Sequence, residues 1–225
     1  MTACDEVPAG TAIGRPARKR GGHRLLTGQA RFTDDYAPQG MVHAAVVRSG
    51  LAHARILSID AAAASAAPGV LLVLTGDQAA QHSGPIPHFI DPGARGGVST
   101  DPRCLAVGKV VYAGEPVAAV VAGSRQQAQA AAQLVEVRYA PLPFVLDPHE
   151  ALSPGAPRLY EDWPDNVVLH RHYGIGDVDG ALSRAEVIVT GTMRIGRQTS
   201  APIEPRDYLA SWDSLDGTLT VHASC

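Results

Sequence analysis

Cysteine is scarce in this sequence: three residues in 225, at Cys4, Cys104 and Cys225, with no CxxC and no Cys/His spacing among them. That scatter argues against a zinc or iron–sulfur site made by this chain alone, because such sites gather several ligands at short, fixed separations. An odd count with no framework suits a reducing compartment, so the expected location is the cytoplasm. Long apolar runs are absent as well. No stretch approaches membrane-spanning length, and the start MTACDEVPAG has no apolar h-region, so neither a span nor a secretory leader is expected. Charge of one sign is also missing: the net value of −3 provides no general field for nucleic acid or an anionic membrane. Basic residues crowd only in RPARKRGGHR (15–24), where no aromatic is interleaved. Residues 1–22 therefore read as an irregular, solvated N-terminal arm, the other reading being a tail that docks on an acidic partner.

What remains is a globular composition, 45% hydrophobic and 18% charged, on a chain long enough for one large domain or two small ones. MVHAAVVRS (41–49) predicts a strand. In HARILSIDAAAASAAPGVLLVLTGDQ a strand over 55–59 meets Asp60, an expected helix N-cap, and Pro68-Gly69 stops the alanine-rich helix before a buried strand. Residues 80–103 are dense in Gly and Pro without any period and read as a long loop, the kind that is usually functional or mobile. The pattern then returns: strand 117–122, a helix capped by Ser124 and running to about Gln133, and strand 134–139. Two such strand–helix–strand segments favour one domain built around both. Five prolines punctuate APLPFVLDPHEALSPGAPRLYED, a linker over 141–160 that is neither Gly/Ser-flexible nor helical. Beyond it the character turns to β. NVVLHRHYG and EVIVTGTMRIGRQ read as strands, Asp177 as the cap of a short helix, and DYLASWDSLDGTLTVHAS as a hairpin around Asp216-Gly217.

No motif here is a self-sufficient active site. GIGDVDG (174–180) lacks the spacing of a phosphate loop and reads as a turn into a helix. His170 and His172 would share one face of a strand, but a metal site needs a third ligand that nothing nearby supplies, so they read as surface or interface histidines. His43 and His53 are each alone beside an apolar strand and are read the same way. Glu115 precedes Pro116 and could be a base, yet the proline makes it extended, and anchoring the loop 108–114 is the favoured role. Glu204 and Arg206 flank a proline; a structural salt bridge, with each other or with a neighbouring chain, is the default. No serine sits in a Gly-x-Ser-x-Gly setting, which leaves hydrolysis by a serine nucleophile unsupported.

Eight segments, in order, resemble the N-terminal part of the large, molybdenum-binding subunit of the xanthine dehydrogenase, aldehyde oxidase and aerobic carbon monoxide dehydrogenase family. They are TGQARFTDD (27–35), GMVHAAVVRS (40–49), AHARILSID (52–60), PGVLLVLTG (68–76), VVYAGEPVAAVVA (110–122), AAQLVEVRYAPLPFVLDPHEAL (131–152), GDVDGALSRAEVIVTG (176–191) and APIEPRDYLA (201–210). Gly50 and Leu51 depart from the proline and bulky residue common in the family after its first strand. The resemblance implies an α+β fold. An α/β hammerhead domain covers 23–140, and 161–225 begins a β-rich molybdopterin-binding domain. The family's metal-side residues follow the position matched by DGTLTVHASC, so the resemblance assigns this chain no catalytic, cofactor-binding or metal-ligating residue. The expectation is a molybdenum domain shared with a second chain, this one bracing it without being catalytic on its own. The complex would hold molybdenum–molybdopterin, in plain or cytosine dinucleotide form, with [2Fe–2S] clusters and FAD on partner subunits. It would hydroxylate an aldehyde or N-heterocycle with oxygen from water. Cys225 near the pterin is a further, remote expectation. The other functional class left open is a non-catalytic binding or scaffold protein that kept the hammerhead domain.

Overall fold

The computed structural model describes Gly14, Pro16 and residues 19–224; Cys4, Cys225 and the basic residues Arg15 and Arg18 of the arm lie outside the described residues. Gly40–Thr190 form one compact unit, and the residues up to Gln39 form a second with those from Gly191 onward. Helix α1 (Gly22–Leu26) belongs to the second unit, at the end of the expected arm. The larger unit holds β1 (His43–Arg48), β2 (Ala54–Asp60), α2 (Ala62–Ser65), β3 (Val70–Thr75), α3 (Gly76–Ala80) and β4 (Lys109–Val110). It continues with β5 (Pro116–Ala122), α4 (Arg125–Ala132), β6 (Glu136–Pro141), α5 (Pro148–Ala151) and α6 (Val178–Ser183). The smaller unit ends in the hairpin β7 (Tyr208–Asp213) and β8 (Thr218–Ala223).

The apolar run of β5 has no polar face to offer to water, which is the signature of a strand covered on both sides. It becomes the centre of a sheet ordered β1-β5-β3, with Val117, Ala118, Val120 and Ala122 fully buried. The second sheet is ordered β4-β2-β6, and all pairings in both are antiparallel. Each strand–helix–strand segment splits between the sheets: β2 pairs with β6, and β3 with β5. The helices cross between sheets and cover the first one. Small side chains allow that approach, since Ala64 of α2 and Ala131 of α4 are buried against Val73, Ala118 and Val120, and Ala128 of α4 is buried as well. A second apolar cluster joins Ala54, Ala106, Val110 and Val117.

Local chemistry sets the ends of these elements. Ser124 sits in the extended region before α4 and its hydroxyl accepts from the Gln127 amide, as expected of a cap. Asp60 acts one position earlier than a cap: it is the last residue of β2, and its carboxylate accepts from the Ala62 amide at 2.9 Å. Asp177 caps α6 by accepting from the Gly180 amide. The hairpin turn closes with Gly217 at φ 70°, a left-handed conformation that favours glycine.

Three expectations are corrected. Residues 186–198 and 166–174 are not strands. The first has the right alternation, but a strand exists only through a partner's hydrogen bonds, and among the described residues none pairs with it. The second makes one such link, from the Val98 amide to the Val168 carbonyl at 2.9 Å. Third, the proline-rich segment does contain a helix: Asp147 caps α5 by accepting from the His149 and Glu150 amides, with Pro148 in the first turn, where a missing amide costs nothing.

Gly76 starts α3 against the backbone of the second cluster: a Cβ there would lie 1.9 Å from the Ala106 carbonyl oxygen. Backbone cannot yield as a side-chain tip can. Gly76→Ala is therefore expected to destabilise the larger unit by about 3 kcal/mol. Urea unfolding followed by Trp163 fluorescence in a Trp212→Phe background reads this out; an unchanged midpoint would refute the close approach.

Candidate functional site

One group of polar side chains in the larger unit gathers where the proline-rich segment returns to the sheets. Lys109 leaves β4 with its stem largely covered and donates to the Leu159 carbonyl at 2.6 Å and to Glu161 at 2.9 Å. Arg55 of β2 reaches the other oxygen of Glu161 at 2.8 Å. The Lys109 hydrogen bond, with the two cations behind it, holds the Glu161 carboxyl below the usual carboxylate range. Lys109 Nζ also lies 5.2 Å from the centroid of the Tyr160 ring, which stacks on the buried Trp163 at 4.5 Å. Asn166 completes the fastening: it accepts from the Leu159 amide and donates to the carbonyls of Ala151 and Pro157.

Glu115 is half-buried at the start of β5. Its carboxylate accepts from the Val111 amide at 2.5 Å, and its own carbonyl accepts from the Ser49 amide at 2.9 Å. Burial pushes its carboxyl up, opposed by hydrogen bonds from the Val111 and Tyr112 amides. The Tyr160 hydroxyl is pushed up chiefly by burial, then by the negative charges of Glu115 and Asp101. Glu115 thus closes its own turn, and the residues around it hold the backbone in shape.

The histidines divide. His170 and His172 are exposed on an irregular segment, so the shared strand face expected of them does not exist. His43 is half-buried on β1. His53 is an interior residue, 4% exposed, which corrects its reading as a surface histidine. Its Nδ1 donates to the Pro143 carbonyl at 2.7 Å, leaving Nε2 buried without a partner. Glu204 and Arg206 do not pair with each other among the described residues; Glu204 accepts instead from the Thr33 amide at 2.9 Å. Lys109, Tyr160, Trp163 and Asn166 escaped the sequence reading. For Tyr160, Trp163 and Asn166 the one signal was an aromatic and amide cluster within a proline-rich stretch; Lys109 carried none.

No group of three or more His, Cys, Asp or Glu side chains among the described residues is placed to hold a metal ion. No helix of the described residues is long and apolar enough to cross a membrane.

Residues 27–143 match the family model for the aldehyde oxidase and xanthine dehydrogenase a/b hammerhead domain. Residues 159–225 match the molybdopterin cofactor-binding domain. The chain is 38% identical to the nicotine 6-hydroxylase large subunit of Paenarthrobacter nicotinovorans, over 94% of its own length and 26% of that protein's. It is 37% identical to the carbon monoxide dehydrogenase large chain of Afipia carboxidovorans, covering 88% of this chain and 25% of that one. The fold superposes on the crystal structure of quinoline 2-oxidoreductase from Pseudomonas putida 86 with a TM-score of 0.82 at 36% identity, covering 94% of this chain and 26% of that one. The chain thus spans about a quarter of the length of the curated relatives it matches. The one orphaned buried side-chain atom among the described residues is His53 Nε2, in the larger unit.

Two outcomes follow from the geometry. The Glu115 carboxyl is raised in the folded state, so the unfolded chain releases its proton first. Stability therefore falls as pH climbs from the ordinary carboxylate range through the raised value, and the penalty persists above it. Glu115→Gln keeps an acceptor for the Val111 amide and removes the buried charge. Its melting temperature is expected to exceed that of the unaltered chain at neutral pH, with the gap closing in acid; a gap independent of pH would refute this. Lys109→Met keeps the apolar stem and deletes both hydrogen bonds. It is expected to loosen residues 157–166 by about 1 kcal/mol in local hydrogen exchange, with β5 unaffected.

Proposed function

The chain belongs to the aldehyde oxidase and xanthine dehydrogenase family, and on that premise we propose that it serves as the hammerhead domain and first part of the molybdopterin-binding domain of a molybdenum hydroxylase. In this reading 23–140 is the hammerhead domain, 141–160 the connection, and 161–225 a partial domain completed by further polypeptide. The chain braces the molybdenum pocket, and the chemistry resides in residues it does not carry.

The observation that carries the reading is the apolar alternation after α6. Val187, Val189, Met193 and Ile195 are 77–95% exposed, and Trp212, Leu219 and Val221 of the hairpin are at least half exposed. A strand-like alternation with no pairing partner among the described residues, its apolar side chains left in water, is a pattern that further strands could complete. Further strands, on this polypeptide or on another, would cover it.

The complete assembly hydroxylates a carbon of an aldehyde or N-heterocycle with oxygen derived from water. Relatives named for nicotine and quinoline support the heterocycle class. A bound molybdenum–molybdopterin, plain or as the cytosine dinucleotide, would supply the oxidising centre. An iron–sulfur subunit carrying [2Fe–2S] clusters and an FAD subunit would carry electrons away; a relative named as subunit gamma of a dehydrogenase complex supports several chains. Unpatterned cysteine positions support a cytoplasmic setting.

The test is co-expression with the polypeptide encoding the remaining three quarters of a molybdenum subunit, followed by metal analysis and assays on aldehydes and N-heterocycles. Co-purification with molybdenum, activity, and loss of the hydrophobic-dye binding shown by the chain alone are expected. A chain that binds no dye alone and recovers no metal-containing partner would defeat the reading in favour of a non-catalytic scaffold.

A further inference from the structure

The β7–β8 hairpin is joined to a segment far from it in sequence. Residues 33–35 form a 3-10 turn, whose first amides have no partner within the turn. The Phe32 amide is taken by the Asp35 carboxylate at 2.8 Å. The Thr33 amide is taken by Glu204, 171 positions away, at 2.9 Å. Next in the segment, Tyr36 lays its ring on His222 of β8, with centroids 6.0 Å apart and planes 10° from parallel, and the Arg31 guanidinium stands 5.5 Å from the Tyr36 centroid. The same six residues thus reach both the approach to β7 and the strand β8.

The base of the hairpin is closed independently. Asp207 and Ser224 exchange contacts: the Ser224 amide donates to the Asp207 carbonyl at 3.1 Å, and the Asp207 amide donates to the Ser224 hydroxyl at 2.8 Å. That hydroxyl donates in turn to the Pro205 carbonyl at 2.6 Å, which fixes the chain directly beside Glu204. A two-stranded hairpin is marginal in water on its own. Every residue of β8 is exposed, and so is every residue of β7 except Leu209, so side-chain burial contributes little.

We propose that residues 31–36 act as a strap that orders the β7–β8 hairpin, with Glu204 as the positioning residue through which the strap holds it. The strap lets the hairpin exist before any further strand joins it. This inference stands apart from the enzymatic reading: it concerns contacts within the chain, and metal content does not enter its test.

Thr33→Pro isolates the strap. Proline has no amide to donate, it is tolerated at the first helical position, and Phe32 at φ −107°, ψ 167° already has the extended backbone a following proline requires. The turn survives while its bond to Glu204 is deleted. Hydrogen-exchange mass spectrometry on the full chain is expected to show exchange across 208–223 rising about tenfold in Thr33→Pro and in Glu204→Ala, the effect of losing one hydrogen bond to a charged group. Peptides from β5 are the internal reference and are expected to be unchanged. Tyr36→Leu removes the stack but not the backbone bond, and is expected to raise hairpin exchange by a smaller factor of about three. It decides the matter should Thr33→Pro disturb the β5 peptides. Hairpin exchange equal to that of the unaltered chain in these variants overturns the proposal, as does a hairpin that is already fully exchanged at the earliest time in the unaltered chain.

Discussion

Strand pairing between distant halves of the sequence is the constraint on which the larger unit depends. Each strand–helix–strand segment gives one strand to each sheet, so β2 has its register set by β6 and β3 by β5. Neither segment makes a sheet alone. Such an exchange works only if the crossing helices lie close to the strands, and the sequence supplies alanine where they meet, at Ala64, Ala118, Ala128 and Ala131. Each alanine buries little area. The stability of the unit therefore rests on many short contacts and backbone bonds more than on a few large side chains, and the largest fully buried residues are valines.

That economy explains why the polar fastenings matter. With few large apolar anchors, the proline-rich return over 141–166 is held by Lys109, Glu161, Asn166 and the Tyr160–Trp163 stack. Lys109 and Asn166 each bond a backbone carbonyl that no strand or helix satisfies. His53 performs the same task between the β1–β2 connection and the chain beyond β6, where Pro143 offers only a carbonyl. These side chains are clips on irregular backbone. That accounts for their scatter in the sequence and for the lack of any spacing that would have marked them as chemistry.

The regular elements of the larger unit were legible because their causes are local: the apolar run of β5, the Ser124 cap and the Pro68-Gly69 stop each act within a few residues. The α+β class came with the resemblance, which the order of eight segments carried and which pointed to the family that both domain models match. Pairing was not legible, since no local pattern says that β2 belongs with β6. Nor were the contacts of Glu204: its neighbour Arg206 suggested an ion pair, while its partner was a backbone amide with no sequence signature at all. The failures at 166–174 and 186–198 are instructive in different ways. The first was a misread period. The second was a correct period with nothing to pair against.

An unmet pattern of that kind has a magnitude. Covering a Val, Ile or Met side chain contributes about 1.5–3 kcal/mol, so Val187, Val189, Met193 and Ile195 together hold roughly 6–12 kcal/mol of unrealised burial. Whole domains are stable by about 5–15 kcal/mol. Realising all of it would fall within that range only before the cost of ordering the segment is subtracted. Surface apolar residues scattered singly need no explanation. Val187, Val189, Met193 and Ile195 alternate along an irregular segment, and in the hairpin the cross-strand pair Trp212 and Leu219 leaves a large apolar surface exposed. The alternation over 187–195 is thus a strand pattern left without a pairing partner among the described residues.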